Sequence, residues 1–246
     1  MMRVWLGFLM LLASTTSGSA SVGGCPRVSV NLPPLPGLRA EIAAHRPVTI
    51  VALGSSSTEG AGASRPEAAY PAQLEALLRR ALPGHEINVI NAGRSGETTT
   101  EMLARLDRDV LAHRPDLVIW QAGANEVLKG SDPAAFAAQM RVGLTRLGDA
   151  GVIVVLMDNQ RSPRILQAPG NARFPEILRS LAREWRVALF PRGRLMSAWA
   201  ETGLPAAEIL SPDGLHHNDR GYACLAEALA GALLDAAGVR TVVAGR

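Results

Sequence analysis

The chain reads as an α/β protein in which a mostly parallel five-stranded sheet carries helices on both faces, a three-layer α/β/α sandwich. Three observations predict it. Short β-branched runs recur along the chain, each is followed by a segment with apolar residues at helical spacing, and turns rich in Gly, Asn and Ser separate them. At 246 residues, 48% hydrophobic and 19% charged, the chain can bury one core of ordinary size.

The first twenty residues stand apart from this pattern. Arg3 and the amino terminus form a positive start, Val4 to Ala13 is apolar throughout its middle, and Gly18-Ser19-Ala20 offers small residues for cleavage. Residues 1–20 thus read as a secretory signal, with an apolar run well short of the roughly 20 residues that span a bilayer as a helix. No later segment is long enough either, so a secreted or periplasmic protein without an integral membrane span is expected. Cys25 and Cys224 are the only cysteines. In an oxidising compartment they pair as a disulfide; two free thiols, or a lipid anchor at Cys25 within Val22-Gly23-Gly24-Cys25, are the alternatives.

Residues 21–46, rich in Pro, Gly and Ser, read as an extended N-terminal lead-in closing with a short helix near Leu38 to Ala44. From residue 47 the pattern is regular. Val48 to Leu53 is the first strand, and Tyr70 to Leu82 is a helix that Pro83-Gly84 stops. Glu86 to Ile90 is the second strand, Thr98 to Ala112 a helix, Leu117 to Gln121 the third strand and Pro133 to Leu147 a helix. Val152 to Met157, Asn171 to Trp185, Val187 to Phe190 and Asp219 to Ala237 supply the fourth strand, a fourth helix, the fifth strand and a closing helix. The net charge of +3 is small, and the basic residues are scattered arginines with Lys129 the only lysine. A nucleic-acid or membrane-surface footprint is not supported.

Polar residues gather beyond the strands. Gly54-Ser55-Ser56 follows the first, Asn91-Ala92-Gly93-Arg94-Ser95-Gly96 the second, a Gly123-Ala124-Asn125-Glu126 loop the third, and Ser211-Pro212-Asp213-Gly214-Leu215-His216 precedes the last helix. In a parallel sheet the first three share one edge, the usual ligand-binding edge of open α/β sheets. Together they hold what acyl transfer needs: a hydroxyl nucleophile, an imidazole base, a carboxylate to orient it and donors for an oxyanion. His217 rivals His216 by adjacency, and Ser55 and Ser57 rival Ser56. His45, His85 and His113 read as solvated loop or helix-end residues, Asn159-Gln160 after the fourth strand and Arg94 read either as lining of a substrate pocket or as solvated loop, and no metal cluster is convincing. A Gly-x-Ser-x-Gly elbow, a P-loop and a dinucleotide fingerprint are all absent from the sequence.

With these blocks in order, the chain resembles the SGNH (GDSL-like) hydrolases over most of residues 47–236, and YPAQLEALL and LARLD resemble the thioesterase and arylesterase branch. The resemblance implies a flavodoxin-like sheet and a cofactor-free serine hydrolase domain over residues 47–246. It implies Ser56 as nucleophile, His216 as base, Asp213 as its orienting carboxylate, and Ser56, Gly96 and Asn125 as the oxyanion donors. The implied partner is a small-molecule or glycan acyl ester or thioester, and a non-catalytic glycan- or lipid-binding module is the contrasting reading. Two positions depart from the family pattern: Ser55 and Glu126 stand where Asp is usual.

Overall fold

The computed structural model describes residues 24–239; the expected signal at residues 1–20 lies outside them. Five parallel strands form the sheet: β1 Val48–Gly54, β2 Ile87–Gly93, β3 Leu117–Gln121, β4 Ile153–Met157 and β5 Ala188–Phe190, in the order β2-β1-β3-β4-β5. Twelve α-helical segments surround it among the described residues: α1 Pro36–Ala43, α2 Ser56–Glu59, α3 Tyr70–Ala81, α4 Thr99–Ala104, α5 Leu106–Asp109, α6 Ala124–Lys129, α7 Pro133–Asp149, α8 Pro163–Gln167, α9 Arg173–Trp185, α10 Arg192–Glu201, α11 Ala206–Ile209 and α12 Asp219–Ala236. The sheet is therefore the doubly wound, flavodoxin-like one, with its switch point between β1 and β3.

The two faces of each strand feed separate cores. Alternation along β1 sends Ile50 and Ala52 to one side and Val51 and Leu53 to the other; Ile119 and Trp120 of β3 divide likewise. On the first side Leu74, Leu78, Leu225, Leu229 and Trp199 cover the sheet, and on the second Met102, Phe136, Met140, Phe174 and Leu178. Gly143 in α7 has a packing reason, since a β-carbon there would enter the Trp120 ring.

Three local expectations change. The helix expected over Thr98–Ala112 is broken into α4, α5 and a 3-10 turn, because Arg105 turns inward and is 4% exposed. Its guanidinium donates to the carbonyls of Ala92 (2.8 Å) and Gly54 (3.3 Å) and to Glu97 (2.7 Å), contacts a straight surface helix would not make. The Gly-Ala-Asn loop is instead the start of α6, capped by Glu126. The second strand runs three residues further, through Asn91-Ala92-Gly93, pairing Gly93 with Gly54.

Cys25 and Cys224 form a disulfide that straps the N-terminal lead-in to α12, closing a separation of 199 residues. In the chain-entropy picture a loop of that length restricts the unfolded chain by about 5 kcal/mol. His85 is not simply solvated, because it stacks on His45 at 4.4 Å and its Nε2 lies 3.0 Å from the Ile42 carbonyl. His217 is fully buried, its Nδ1–H donating to the Ile209 carbonyl at 3.0 Å and its ring packing edge-on to Tyr222. Burial, helped by the positive field of Arg192, pushes its pKa down to about 3.

Two measurements follow from this packing. A Cys25→Ser/Cys224→Ser double variant loses about 2–5 kcal/mol of unfolding free energy, read as a lower denaturant midpoint; an unchanged midpoint would remove the strap from the account of stability. For His217 the folded pKa lies below the unfolded 6.5, so the unfolded state takes up a proton the folded state refuses. Stability is therefore lost as pH falls from about 6.5 towards 3. Melting curves of His217→Asn, which keeps a donor for Ile209, fall less steeply than the parent's across that window; equal slopes would refute the linkage.

Candidate active site

The site begins where β1 ends. At Gly54 a β-carbon would strike the Thr58 hydroxyl and the Gln121 side chain, so only glycine lets the chain turn there into α2. Gln121, the last residue of β3, then sorts the three serines. Its Oε1 accepts from Ser55 N (2.9 Å), Ser55 Oγ (3.1 Å), Ser57 Oγ (3.3 Å) and Thr58 Oγ1 (3.3 Å). Ser55 and Ser57 are each 2% exposed, whereas Ser56, the first residue of α2, is only half-buried and turns outward.

What Ser56 meets is His216. Its Oγ–H donates to His216 Nε2 at 2.8 Å, and His216 Nδ1–H donates to Asp213 Oδ2 at 2.5 Å; these donor roles follow from the partners. The other oxygen of Asp213 accepts from Ser211 Oγ (2.6 Å), Leu215 N (2.8 Å) and His216 N (3.0 Å). Burial works to raise this carboxyl, but the hydrogen bonds from Ser211, His216 and Leu215 outweigh it and hold the group well below the usual carboxylate range. The turn is pinned at its base by Ser211 N to the His216 carbonyl (2.8 Å) and Asn218 N to the Ile209 carbonyl (3.1 Å). His217, on the opposite side of that backbone, points into the core and away from Ser56.

Gly96 and Asn125 come from the neighbouring segments after β2 and β3, which are hydrogen-bonded to each other. Gly96 is exposed with φ +79°, and a β-carbon there would meet nothing within 4 Å. Its glycine is required by the left-handed backbone, and it leaves that side of the loop open. Among the described residues the amide N–H groups of Ser56 and Gly96 have no hydrogen-bond partner. Asn125, in the first turn of α6, donates one amide hydrogen to the Glu97 carbonyl at 2.7 Å, which leaves a second hydrogen free. Glu126 explains why a longer acid follows it. From a position 2% exposed it reaches Thr99 N (2.6 Å), Thr99 Oγ1 (2.7 Å) and Gly123 N (3.1 Å), clamping α6 to the start of α4. Lys129, one turn on from Asn125, donates to the Gly96 carbonyl at 2.8 Å, and Arg94 pairs with Asp109 at 2.9 Å.

Arg192 is absent from the sequence-derived site. It stands two residues past the end of β5, at the same sheet edge, and nothing local in the sequence separates it from the exposed Arg194. Its side chain is fully buried and donates to the Asp158 carbonyl (3.0 Å), Ser57 Oγ (3.0 Å) and Gln160 Oε1 (2.6 Å). Asn159 and Gln160 are 3% and 2% exposed, so of their two readings the solvated loop fails and pocket lining stands. A cavity of about 250 Å³ opens there, at the ends of β4 and β5, lined by Asp158, Asn159, Gln160, Ile165, Arg179 and Ser197 among others. A larger cavity of about 380 Å³ lies between the N-terminal lead-in and α12 and contains none of the site residues.

The chain is similar to a known family and to known esterases. The family model described as the non-GDSL lipase-like family matches residues 25–239. An arylesterase of Vibrio mimicus is 31% identical over 183 residues, covering 74% of this chain and 86% of the relative. The thioesterase 1/protease 1/lysophospholipase L1 of Escherichia coli K12 is 29% identical over 170 residues, covering 69% and 76%. Among solved structures, a two-domain esterase active on acetylated mannans superposes with a TM-score of 0.71 at 23% identity over 86% of this chain, which spans only 56% of that longer one. The chain thus belongs to the non-GDSL lipase-like family, within the SGNH hydrolase superfamily, and is a hydrolase of ester bonds.

Proposed function

We propose that the protein is an exported serine hydrolase of small acyl esters or thioesters, with Ser56 as nucleophile, His216 as general base and Asp213 as the carboxylate that orients it. The observation that carries this reading is the unbroken hydrogen-bond chain Ser56 Oγ to His216 Nε2, His216 Nδ1 to Asp213 Oδ2. His216 takes the Ser56 proton as Oγ attacks the ester carbonyl, and Asp213 stabilises the imidazolium that forms. The Ser56 and Gly96 N–H groups and the free hydrogen of the Asn125 amide receive the oxyanion. His216 then protonates the departing alcohol or thiol, and a water activated by the same base releases the acid. Export is supported by the residue 1–20 pattern and by a disulfide, a bond characteristic of oxidising compartments. Among the described residues no helix is long and apolar enough to cross a membrane.

A second reading, a carbohydrate O-acetyl esterase of the cell envelope, is favoured by the cavity at the ends of β4 and β5. Asn159 there is 3% exposed, yet its amide oxygen and nitrogen have no hydrogen-bond partner among the described residues. Beside it, burial raises the Asp158 carboxyl to about 6. An amide, a carboxyl and the Arg179 guanidinium are groups that hydrogen-bond to sugar hydroxyls. One strand, β3, separates β4 from β1, so the two lie two strand spacings or about 10 Å apart, which places this cavity beyond a reacting acetyl group.

Ser56→Ala lowers kcat on p-nitrophenyl acetate by about a million-fold, Asp213→Asn by about ten-thousand-fold and Asn125→Ala by about 100- to 1000-fold. A fluorophosphonate probe labels Ser56 and no other residue, by peptide mass; an active Ser56→Ala or a label elsewhere overturns the assignment. The two substrate readings separate on Asn159→Ala. If sugars are bound, its KM rises about ten-fold on acetylated xylo-oligosaccharides and stays level on p-nitrophenyl acetate. An equal effect on both substrates refutes the carbohydrate reading.

A further inference from the structure

The mechanism above makes no use of Arg192, yet this is the one arginine among the described residues with no exposed surface at all. A fully buried guanidinium is costly unless every donor is used for something. Here none of its hydrogen bonds goes to a carboxylate. The nearest acid, Asp158, gives Arg192 its backbone carbonyl and spends a carboxylate oxygen on Gly193 N at 2.9 Å. The charge is therefore not cancelled by a hydrogen-bonded partner, as Arg105 is by Glu97 and Asp109.

The two outer arms of the guanidinium reach the two halves of the site. Nη1 donates to the hydroxyl of Ser57, the residue after Ser56, at 3.0 Å. Nη2 donates to Gln160 Oε1 at 2.6 Å, and the Gln160 amide in turn donates to the carbonyl of Leu215, the residue before His216, at 3.3 Å. Ser57 and Leu215 are 158 positions apart in sequence and belong to loops from opposite ends of the domain. One rigid planar fork, anchored at Nε on the Asp158 carbonyl just past β4, thus ties the Ser57 hydroxyl of the nucleophile loop, through the Gln160 side chain, to the backbone of the base loop. Ser57 also donates to Gln121 Oε1, so the fork joins the same network that holds Ser55 and Thr58 inward.

We infer that Arg192 is a positioning residue for ester hydrolysis: its buried guanidinium sets the spacing between Ser56 and His216 through Ser57 and Gln160, and its charge favours the negative charge that develops at Ser56. Such preorganised charge in a water-excluded setting needs no rearrangement at the moment of reaction. A guanidinium suits this task better than an ammonium, because two fixed arms define a distance whereas a point charge does not.

The inference rests on Ser56 as nucleophile, and the experiment separates the two. Ser57→Ala, Arg192→Lys, Arg192→Gln and the Ser57→Ala/Arg192→Gln double variant are compared by kcat and KM on p-nitrophenyl acetate, by the rate of fluorophosphonate labelling of Ser56, and by thermal melting. All rates are taken well below each melting temperature. Ser57→Ala lowers kcat and the labelling rate about ten-fold with KM within two-fold, Arg192→Gln lowers them about 100-fold, and Arg192→Lys recovers part of that loss by restoring the charge. The double variant loses clearly less than the two single losses combined, because Ser57 and Arg192 act through one shared contact. A folded Ser57→Ala with parental kcat and labelling rate overturns the inference, as does an additive double variant. Should Arg192→Gln fail to fold, Ser57→Ala with Arg192→Lys decides the matter on the same two rates. An active Ser56→Ala overturns the functional reading itself, whereas an inactive Ser56→Ala beside an unimpaired Ser57→Ala overturns only the role of Arg192.

Discussion

The parallel register of β1 between β2 and β3 is the constraint from which the site follows. Gly54 pairs with Gly93, and Leu53 with Trp120, so the ends of three strands stop at one level. That levelling puts Gln121 beside the turn after Gly54 and lets a single amide oxygen collect donors from Ser55, Ser57 and Thr58. A slip of one residue would reverse the faces of β1 and exchange Ile50 for Val51 between two cores of different shape. Both cores therefore hold the register, and the register holds the Ser56 loop. Gly93 marks the same closeness, since a β-carbon there would run into the backbone of Glu59 in α2.

Polar burial is what turns this levelled edge into a site. Arg105 and Arg192 approach the Ser56 loop from the two sides of β1, one at the Gly54 carbonyl and the other at the Ser57 hydroxyl. Glu126 works on the next element, fixing the first turn of α6 so that Asn125 sits over the Glu97 carbonyl. Each of these side chains would be destabilising if left half-satisfied, and each instead bonds to more than one element: Arg105 to Gly54, Ala92 and Glu97, Arg192 to Asp158, Ser57 and Gln160, and Glu126 to Thr99 and Gly123. The consequence is a set of loops whose relative positions depend on buried hydrogen bonds more than on apolar packing. The pinned Asp213 turn is the same device on the His216 side, with four hydrogen bonds converging on one carboxylate.

Much of this was legible in the sequence, and the division has a physical reason. Strands and long helices announce themselves through local periodicity, so β1, β3, α3, α7 and α12 fall within a residue or two of their expected bounds. The blocks around Ser56, Gly96, Asn125 and His216 were visible because chemistry there needs particular residue types beside strand ends. Arg192 was not visible. It stands in Pro191-Arg192-Gly193-Arg194, where Arg194 is exposed and Arg192 is not, and its defining partner Ser57 lies 135 residues away. No local pattern separates the two arginines; only the fold does. The break of the helix at Arg105 has the same origin, because apolar spacing across 102–111 continues unbroken while the side chain that interrupts it answers to Gly54, Ala92 and Glu97. Likewise the three serines of the first block are equivalent in sequence, and it is the Gln121 oxygen that distinguishes them.

Ser55 itself, where the SGNH pattern usually has Asp, can be understood through the same oxygen. Gln121 Oε1 is an acceptor, and the four groups aimed at it are all donors: one N–H and three hydroxyls. A carboxylate at position 55 would set negative oxygens against that acceptor in a pocket 2% exposed, an arrangement with a desolvation cost and no donor to offset it unless the amide of Gln121 turned over. Turning it over would in turn cost Ser55 N its acceptor. A hydroxyl at 55 avoids both penalties, because it can donate where an ionised carboxylate can only accept. It also leaves the buried guanidinium of Arg192, which donates to Ser57, with no carboxylate on that loop to pair with. Serine at 55 and arginine at 192 are thus two halves of one electrostatic choice: a Ser56 loop lined by donors and braced by a positive charge instead of one carrying its own carboxylate.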